Sequence, residues 1–211
     1  QDSRALLHYA CELTKGIGPA TEDAIWEKLG NNWQKVGLDD VPKMRGKVLN
    51  DFRDTIARLD IEKEKTDACA WLIGQGTTRN MAEAAWAQWK EKTIGVVTAN
   101  CYKLADLNNY SFKDVDEEIR KRFGIDDLDA RRIRAAVCYY MAQLADGPTA
   151  VPWWALKDKV VTALCLPVAN VNTVVAQMFG EGELYPFAET QHIALRKDFE
   201  NEKAIWDYAT A

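Results

Sequence analysis

The first two thirds of the chain carry apolar residues at helical spacing, in stretches separated by glycine, asparagine or aspartate. Residues three and four apart lie on one face of a helix, so this pattern predicts amphipathic helices. The predicted helices are residues 5–14, 20–29, 47–59, 65–73, 79–89 and 114–123. Strand-like alternation is absent from this part of the sequence. Four tryptophans fall on the apolar faces and are interpreted as core residues: Trp26, Trp71, Trp86 and Trp89.

The pattern changes from about residue 126 onward. The elements predicted there are a helix over 130–144 after Asp129, a stop at 146–148, an extended segment over 149–152, helices over 154–164 and 171–179, and extended segments around 184–187 and 192–195. A helix, a short strand, two helices and a two-stranded ribbon follow one another in the order of a winged helix. The predicted fold is therefore mainly α, with a tandem helix-hairpin-helix array over 1–125 followed by a small winged-helix-like α+β domain over 126–211.

A glycine-containing turn joins the first two predicted helices. It reads Lys15, Gly16, Ile17, Gly18, Pro19, Ala20, Thr21. The two glycines permit a tight, positive-φ backbone, and Pro19 suits the first turn of a helix, where no N–H donor is needed. This is the pattern of a helix-hairpin-helix, whose free backbone amides and second-helix dipole can bind a DNA phosphate.

The chain repeats this pattern at an offset of sixty residues, since Trp26 corresponds to Trp86 and Val36 to Val96. The second turn is interpreted as Gly74, Gln75 and Gly76, which places a two-residue slip between the two turns. Two weaker hairpins are predicted over 41–46 and 107–112. The candidate DNA-binding residues are Lys15, Gly16, Ile17, Gly18, Ala20, Thr21, Gly74, Gly76, Thr77, Thr78, Arg79 and Lys113.

Composition is that of an ordinary soluble protein, with 211 residues, 47% apolar and 28% charged. No apolar run approaches the roughly 20 residues that cross a bilayer, and the start lacks a signal-peptide pattern. The chain begins with Gln1 rather than methionine, which predicts an excised piece of a longer protein. Five widely spaced cysteines without a C-x-x-C pair predict buried, reduced thiols in a cytoplasmic protein, and neither a zinc site nor a disulfide framework.

The net charge of −5 opposes DNA binding, because affinity for phosphates usually comes from lysine and arginine. Backbone amides need fewer cations, and local charge matters more than the total. A basic cluster surrounds the last hairpin: Lys113, Arg120, Lys121, Arg122, Arg131, Arg132 and Arg134. Seven acidic residues share that window: Asp114, Asp116, Glu117, Glu118, Asp126, Asp127 and Asp129. A phosphate-binding face and a mixed, solvated surface are therefore equally open alternatives.

Several stretches follow one another in an order that carries family information: residues 13–21, 100–105, 132–136, 149–152 and 193–202. In this order they resemble the region ahead of the motor in the longer RecD-like superfamily 1 DNA helicases, relatives of the alpha subunit of exodeoxyribonuclease V. The resemblance implies a DNA-handling region preceding an ATP-driven motor that moves 5′ to 3′ on single-stranded DNA. It implies DNA, single-stranded or tailed duplex, and the same chain's motor as partners, and no membrane.

The motor's own site is absent from the sequence. A P-loop needs G-x-x-x-x-G-K-[ST], and the only Gly-Lys pair, Gly46-Lys47, is followed by Val48. The expected ATP and Mg²⁺ therefore belong to a motor outside this chain, and no cofactor is expected here. The sequence also departs from the family at residues 109–112, where a Gly-Ile-Gly-Phe turn is usual, and at Gln75, where an apolar residue is usual.

The sequence offers two alternatives to DNA binding. Intrinsic catalysis would need a constellation that Asp39 and Asp40, or the lone His8 and His192, do not supply. A protein-interaction module that docks the motor or a repair partner is the stronger alternative, and Trp154 beside a second tryptophan fits such a contact as well as a winged-helix core. That alternative requires an exposed apolar patch. DNA binding requires Lys15, Thr21, Thr77, Thr78 and Arg79 to share a face.

Overall fold

The computed structural model describes residues 3–41, 44, 46–107, 110–145 and 150–210. Its helices are α1 (Ser3–Leu13), α2 (Pro19–Leu29), α3 (Gly46–Ile61), α4 (Lys63–Gly74), α5 (Arg79–Trp89), α6 (Thr93–Ala99), α7 (Phe112–Glu118), α8 (Ala130–Leu144), α9 (Trp153–Leu164), α10 (Val168–Gly180) and α11 (Arg196–Thr210). Its strands are β1 (Val151–Pro152), β2 (Leu184–Phe187) and β3 (His192–Leu195). Short 3₁₀ helices occupy Gly30–Lys35, Lys90–Lys92, Cys101–Asp106 and Arg120–Phe123. The predicted, mainly α fold class is confirmed.

The chain forms two compact units. The first unit is Gln1–Tyr110 with Glu117–Phe123, and the second unit is Ser111–Asp116 with Gly124–Ala211. The predicted division into domains after residue 125 stays a prediction. The weaker hairpins predicted over 41–46 and 107–112, and the stop predicted at 146–148, lie partly or wholly outside the described residues.

The first unit is built around a core that includes Leu7, Ile25, Trp33 and Phe52, all almost fully buried. The Trp33 and Phe52 rings pack with their centroids 6.0 Å apart. Trp33, which the helical pattern did not single out, is the deepest tryptophan. The four tryptophans predicted to be core residues are only half-buried.

The repeat holds at a constant offset of sixty residues. Helices α2 and α5 are both 11 residues long and begin at Pro19 and Arg79. The positive-φ residue before each is Gly16 (φ 99°) and Gly76 (φ 92°). The two-residue slip predicted between the turns was therefore wrong.

The second turn consists of Gly76, Thr77 and Thr78, whereas Gly74 is the last residue of α4. The N–H of Gln75 donates to the carbonyl oxygen of Trp71 at 3.1 Å, which extends the helix past Gly74. Glycine is tolerated at a helix C-terminus, and only the residue at Gly76 must adopt positive φ. The prediction chose the wrong glycine to open this turn.

Lys90 occupies a backbone conformation that suits glycine. It has φ 51° and ψ −131°, and the equivalent residue of the first repeat, Gly30, has φ 50° and ψ −126°. In both repeats this residue's N–H donates to a tryptophan carbonyl, that of Trp86 or Trp26. A side chain at such a position costs of order 1–3 kcal/mol.

Lys90→Gly is therefore expected to raise the free energy of unfolding of the first unit by about 1 kcal/mol. Urea denaturation followed by circular dichroism measures this change. Lys92→Gly is the matched control, because Lys92 has an ordinary φ of −82° and should lose about 0.5–1 kcal/mol instead. Equal destabilisation by both substitutions would contradict the assignment of strain to Lys90.

The second unit has the strand order β1-β3-β2, with antiparallel pairing throughout. Val151 pairs with Ile193 and Leu184 pairs with Leu195. Helix, strand, two helices and two strands follow in the order predicted for a winged helix. Both strands of the ribbon have the predicted bounds, whereas residue 149 of the first extended segment lies outside the described residues.

The predicted burial of the cysteines is confirmed for three of the five thiols. Cys11, Cys69 and Cys101 are buried, whereas Cys138 is half-buried and Cys165 is exposed. Burial raises the pKa of Cys11 to about 12 and that of Cys69 to about 11, so both are protonated at neutral pH. Cys165 was predicted wrongly, because it ends α9 in a left-handed conformation at the surface.

Candidate nucleic-acid interface

The first hairpin loop connects α1 to α2 and is anchored to the first unit by two of its residues. Thr14 is buried, and its hydroxyl donates to the carbonyl of Ala10 at 3.0 Å. Ile17 packs against the core of the first unit. These two anchors leave Lys15, Gly16 and Gly18 exposed at the surface.

Gly18 is the N-cap residue that precedes α2, and it has an extended backbone (φ −111°, ψ 176°). Its carbonyl accepts hydrogen bonds from the N–H groups of Thr21 and Glu22, each at 3.0 Å. The N–H groups of Gly18 and Ala20 have no acceptor in the part of the chain that the structure describes. They lie at the positive end of the helix dipole, where an anion is stabilised.

The second loop begins α5 in the same way but with different side chains. The Thr78 hydroxyl accepts a hydrogen bond from the N–H of Met81 at 3.2 Å and caps the helix. Thr77 stands where the first loop has Ile17 and is only 6% exposed. Its hydroxyl is buried and has no hydrogen-bond partner among the described residues. Only the backbone of Thr77 is therefore available to a ligand at the surface.

The two loops meet in one groove of about 440 Å³. One side is formed by residues of the first loop, from Thr14 to Pro19, and the other by Thr78, Arg79 and Asn80. Arg79 ties the sides together, because its Nη1 donates to the carbonyl oxygen of Glu12 at 2.6 Å. The candidates Lys15, Gly16, Ile17, Gly18, Thr78 and Arg79 line this groove. Ala20 and the half-buried Thr21 follow in the first turn of α2.

Arg122 is a cation at the second loop that the sequence did not assign there. Its Nη1 donates to the carbonyl oxygen of Gly74 at 3.1 Å. Its Nε is 3.1 Å from the point that a side-chain carbon on Gly76 would occupy. The sequence placed Arg122 in a cluster around the last hairpin, and no sequence pattern links residues 48 positions apart.

One of the two carboxylates that line the groove, Glu22, is paired with a neighbouring arginine and hydrogen-bonded to a histidine. Glu22 is only 8% exposed. Its carboxylate lies 2.8 Å from His8 Nδ1 and 3.4 Å from the Arg4 guanidinium. Arg4 also pairs with Asp23. This pairing limits the repulsion that Glu22 would exert on an anion in the groove.

Three arginines of the predicted basic cluster, Arg131, Arg132 and Arg134, lie in the second unit and form ion pairs. Arg131 pairs with Asp129 at 2.7 Å and holds the pKa of that carboxyl below its usual value. Arg134 lies 2.7 Å from Glu183 and also pairs with Glu181. These arginines fit the mixed-surface alternative better than a phosphate-binding face.

The candidate Lys113 belongs to α7, where it is exposed, and lies in the second unit. It is separate in the chain from the residues that line the groove of the first unit. All the other candidate residues belong to the first unit, so Lys113 has none of them beside it within the second unit.

Comparison with known families covers the second hairpin. Residues 61–150 match the family model of the HHH domain of the ATP-dependent RecD2 DNA helicase. The resemblance to the RecD-like helicases is confirmed. The matched residues begin at the end of α3 and include the turn at Gly76, Thr77 and Thr78. The chain thus carries a DNA-binding accessory region of a helicase.

A search of curated proteins found no match to the chain. In the described ranges, no helix is long and apolar enough to cross a membrane. Among these same residues, no group of three or more histidine, cysteine or acidic side chains is placed to hold a metal ion.

Proposed function

We propose that the first unit grips the DNA phosphate backbone, without sequence preference, through the groove between the two hairpin loops. The observation that carries this proposal is the convergence of two helix N-termini on one groove, with the unbonded N–H groups of Gly18 and Ala20 beside Lys15. Phosphate contacts position a protein on DNA but carry no sequence information. The grip is therefore sequence-independent.

Backbone recognition reconciles this function with a net charge of −5. Amides and helix dipoles attract a phosphate without adding a formal charge, so few lysines and arginines are required. Lys15, Arg79 and Arg122 supply cations at the two loops, while Arg4 and His8 pair with Glu22.

The parent protein on this proposal is an ATP-dependent 5′–3′ DNA helicase of the cytoplasm, acting in DNA repair or recombination. Its motor belongs to the same full-length polypeptide but lies outside these 211 residues, and it holds ATP and Mg²⁺. Single-stranded or tailed duplex DNA is the substrate of this full-length helicase. This chain supplies the grip and no ATPase or nuclease site.

A second candidate function is a module that docks the motor or a repair partner. One observation favours it: α11 buries none of its residues, and Ile205, Trp206 and Tyr208 are 69%, 69% and 90% exposed. Trp154 is also 63% exposed, so the second unit presents the apolar surface that this alternative requires.

Fluorescence anisotropy with single-stranded, duplex and 5′-tailed DNA over a salt series tests the proposed grip. Lys15→Ala is expected to weaken all three complexes alike and to reduce the slope of log affinity against log salt by about 1. Lys28→Ala is the matched control, because Lys28 lies about 15 Å along α2 from the loop.

The control should keep both the affinity and the slope of the unaltered chain. The absence of any binding at low salt by the folded chain would overturn the proposed grip and favour the docking module. A loss confined to one DNA sequence would contradict the absence of sequence preference.

A further inference from the structure

The first repeat contains an arginine that lies on a tryptophan. The Arg4 guanidinium carbon is 5.4 Å from the centroid of the Trp26 ring. The same guanidinium pairs with Asp23, which precedes Trp26 by three residues on α2. Stacking on an aromatic ring and pairing with a carboxylate are the two contacts that a planar guanidinium makes best.

The second repeat has the tryptophan and the acidic residue of this arrangement, but a glutamate takes the place of the arginine. At the offset of sixty, Trp26 becomes Trp86 and Asp23 becomes Glu83, but Arg4 becomes Glu64. A groove of about 810 Å³ lies at this place, with Glu64, Glu83 and Trp86 in its lining. Among the described residues, no arginine or lysine is found over the Trp86 ring.

We propose that this groove binds an arginine side chain of a partner protein. The guanidinium stacks on Trp86 and pairs with Glu83, as Arg4 does with Trp26 and Asp23 in the first repeat. Glu64 adds a second carboxylate in the place where the first repeat supplies its own cation. Ile61, 84% exposed at the rim, offers apolar contact for a residue next to the arginine.

Three glutamates and three lysines line the groove, so the stacking face of Trp86 beside Glu64 and Glu83, rather than net charge, favours a guanidinium over a phosphate. Lys65 is already paired with Glu62 at 3.3 Å. Glu83 Oε1 accepts a hydrogen bond from the Tyr9 hydroxyl at 3.3 Å and lies 3.9 Å from Arg79 Nε, so Oε2 is the oxygen that would receive the incoming guanidinium. Lys63 and Lys90 also line the groove, but both are long, flexible and strongly hydrated cations. A nucleotide phosphate beside Trp86 would face Glu64 and Glu83.

The test uses the indole N–H resonance of Trp86 in the ¹⁵N-labelled chain, identified by its loss in Trp86→Phe. N-acetyl-arginine amide is titrated as the probe, with N-acetyl-citrulline amide as its uncharged counterpart of nearly the same shape. We expect saturable shifts of this resonance with arginine amide and none with citrulline amide.

Two variants distinguish the effect of filling the groove with a side chain from the effect of removing one carboxylate. Glu64→Arg restores the residue of the first repeat, so it should fill the groove from within and weaken binding of the arginine amide about fivefold or more. Glu64→Gln removes one carboxylate and should weaken binding only about twofold. Circular dichroism of each variant verifies that it is folded.

Three outcomes would overturn the proposal. They are equal shifts with arginine and citrulline amides, unchanged arginine binding in Glu64→Arg, and shifts of the Trp86 resonance by an oligothymidylate but not by arginine amide. The last outcome would assign the groove to single-stranded nucleic acid. None of these readouts depends on the hairpin loops, so failure here leaves the proposed DNA grip standing.

Discussion

Gly18→Asp is expected to weaken DNA binding at least about tenfold, whereas Gly18→Asn should leave affinity within about threefold. The two side chains have nearly the same shape and differ in charge. The aspartate carboxylate would stand beside the N–H groups of Gly18 and Ala20, where we propose that a phosphate binds. Two unit charges about 4 Å apart interact by ~4 kcal/mol at an effective dielectric constant of ~20, so tenfold, or ~1.4 kcal/mol, is a modest expectation.

Position 18 allows this comparison without disturbing the fold. A side-chain carbon on Gly18 would meet no atom within 4 Å, and its φ of −111° suits any residue. Asparagine and aspartate both cap helix N-termini well, so each variant should be as stable as the unaltered chain or a few tenths of a kcal/mol more stable. Anisotropy over a salt series measures affinity, and urea denaturation measures stability.

Gly16 and Gly76 cannot serve the same purpose. Both have positive φ, and a side-chain carbon would come within 3.3 Å of Val48 or 3.1 Å of Arg122. Substitution there would mix strain with any loss of a DNA contact. Equal loss of affinity in Gly18→Asp and Gly18→Asn would show that the loop's shape, rather than its charge, governs binding.

The sequence predicted best those elements whose ends are encoded locally. Helices α5 and α8 have the predicted bounds. Each begins after a residue whose side chain accepts a hydrogen bond from the first turn: Thr78 from the N–H of Met81, and Asp129 from the N–H of Arg131. A cap of this kind is visible in the sequence, because it needs only neighbours in the chain.

Elements without such local features escaped prediction. Helix α6 is seven residues long, and Lys92, which precedes it, makes no side-chain cap. Six of its seven residues are β-branched or glycine, which lowers helix propensity, so it depends on packing by the buried Val97.

The candidate groove was predictable in its parts but not in its assembly. The sequence identified the loop at Gly18 and the loop residues Thr78 and Arg79. It did not predict that Arg79 would donate to the carbonyl of Glu12, nor that Arg122 would reach Gly74. These contacts join residues 67 and 48 positions apart and arise only when the helices pack.

Arg132→Met is expected to lower the free energy of unfolding of the second unit by about 3–5 kcal/mol. Arg132 is 6% exposed, and its Nε and Nη2 donate to the two carboxylate oxygens of Asp116 at 2.8 and 2.9 Å. It also donates to the carbonyl of Asp127 at 3.1 Å. Methionine keeps much of the side chain's volume but leaves the carboxylate of Asp116, with 12% of its side chain exposed, without its strongest partner.

Two variants decide whether the buried pair is the cause. Arg131→Met removes an arginine whose pair with Asp129 is more exposed, so it should cost no more than about 1 kcal/mol. Adding Asp116→Leu to Arg132→Met removes the abandoned carboxylate and should recover a large part of the loss, as measured by urea denaturation. A cost for Arg132→Met no larger than that for Arg131→Met would contradict the assignment. Because Arg132 is paired with Asp116, the phosphate grip that we propose would depend on cations outside this buried pair, Lys15 first among them.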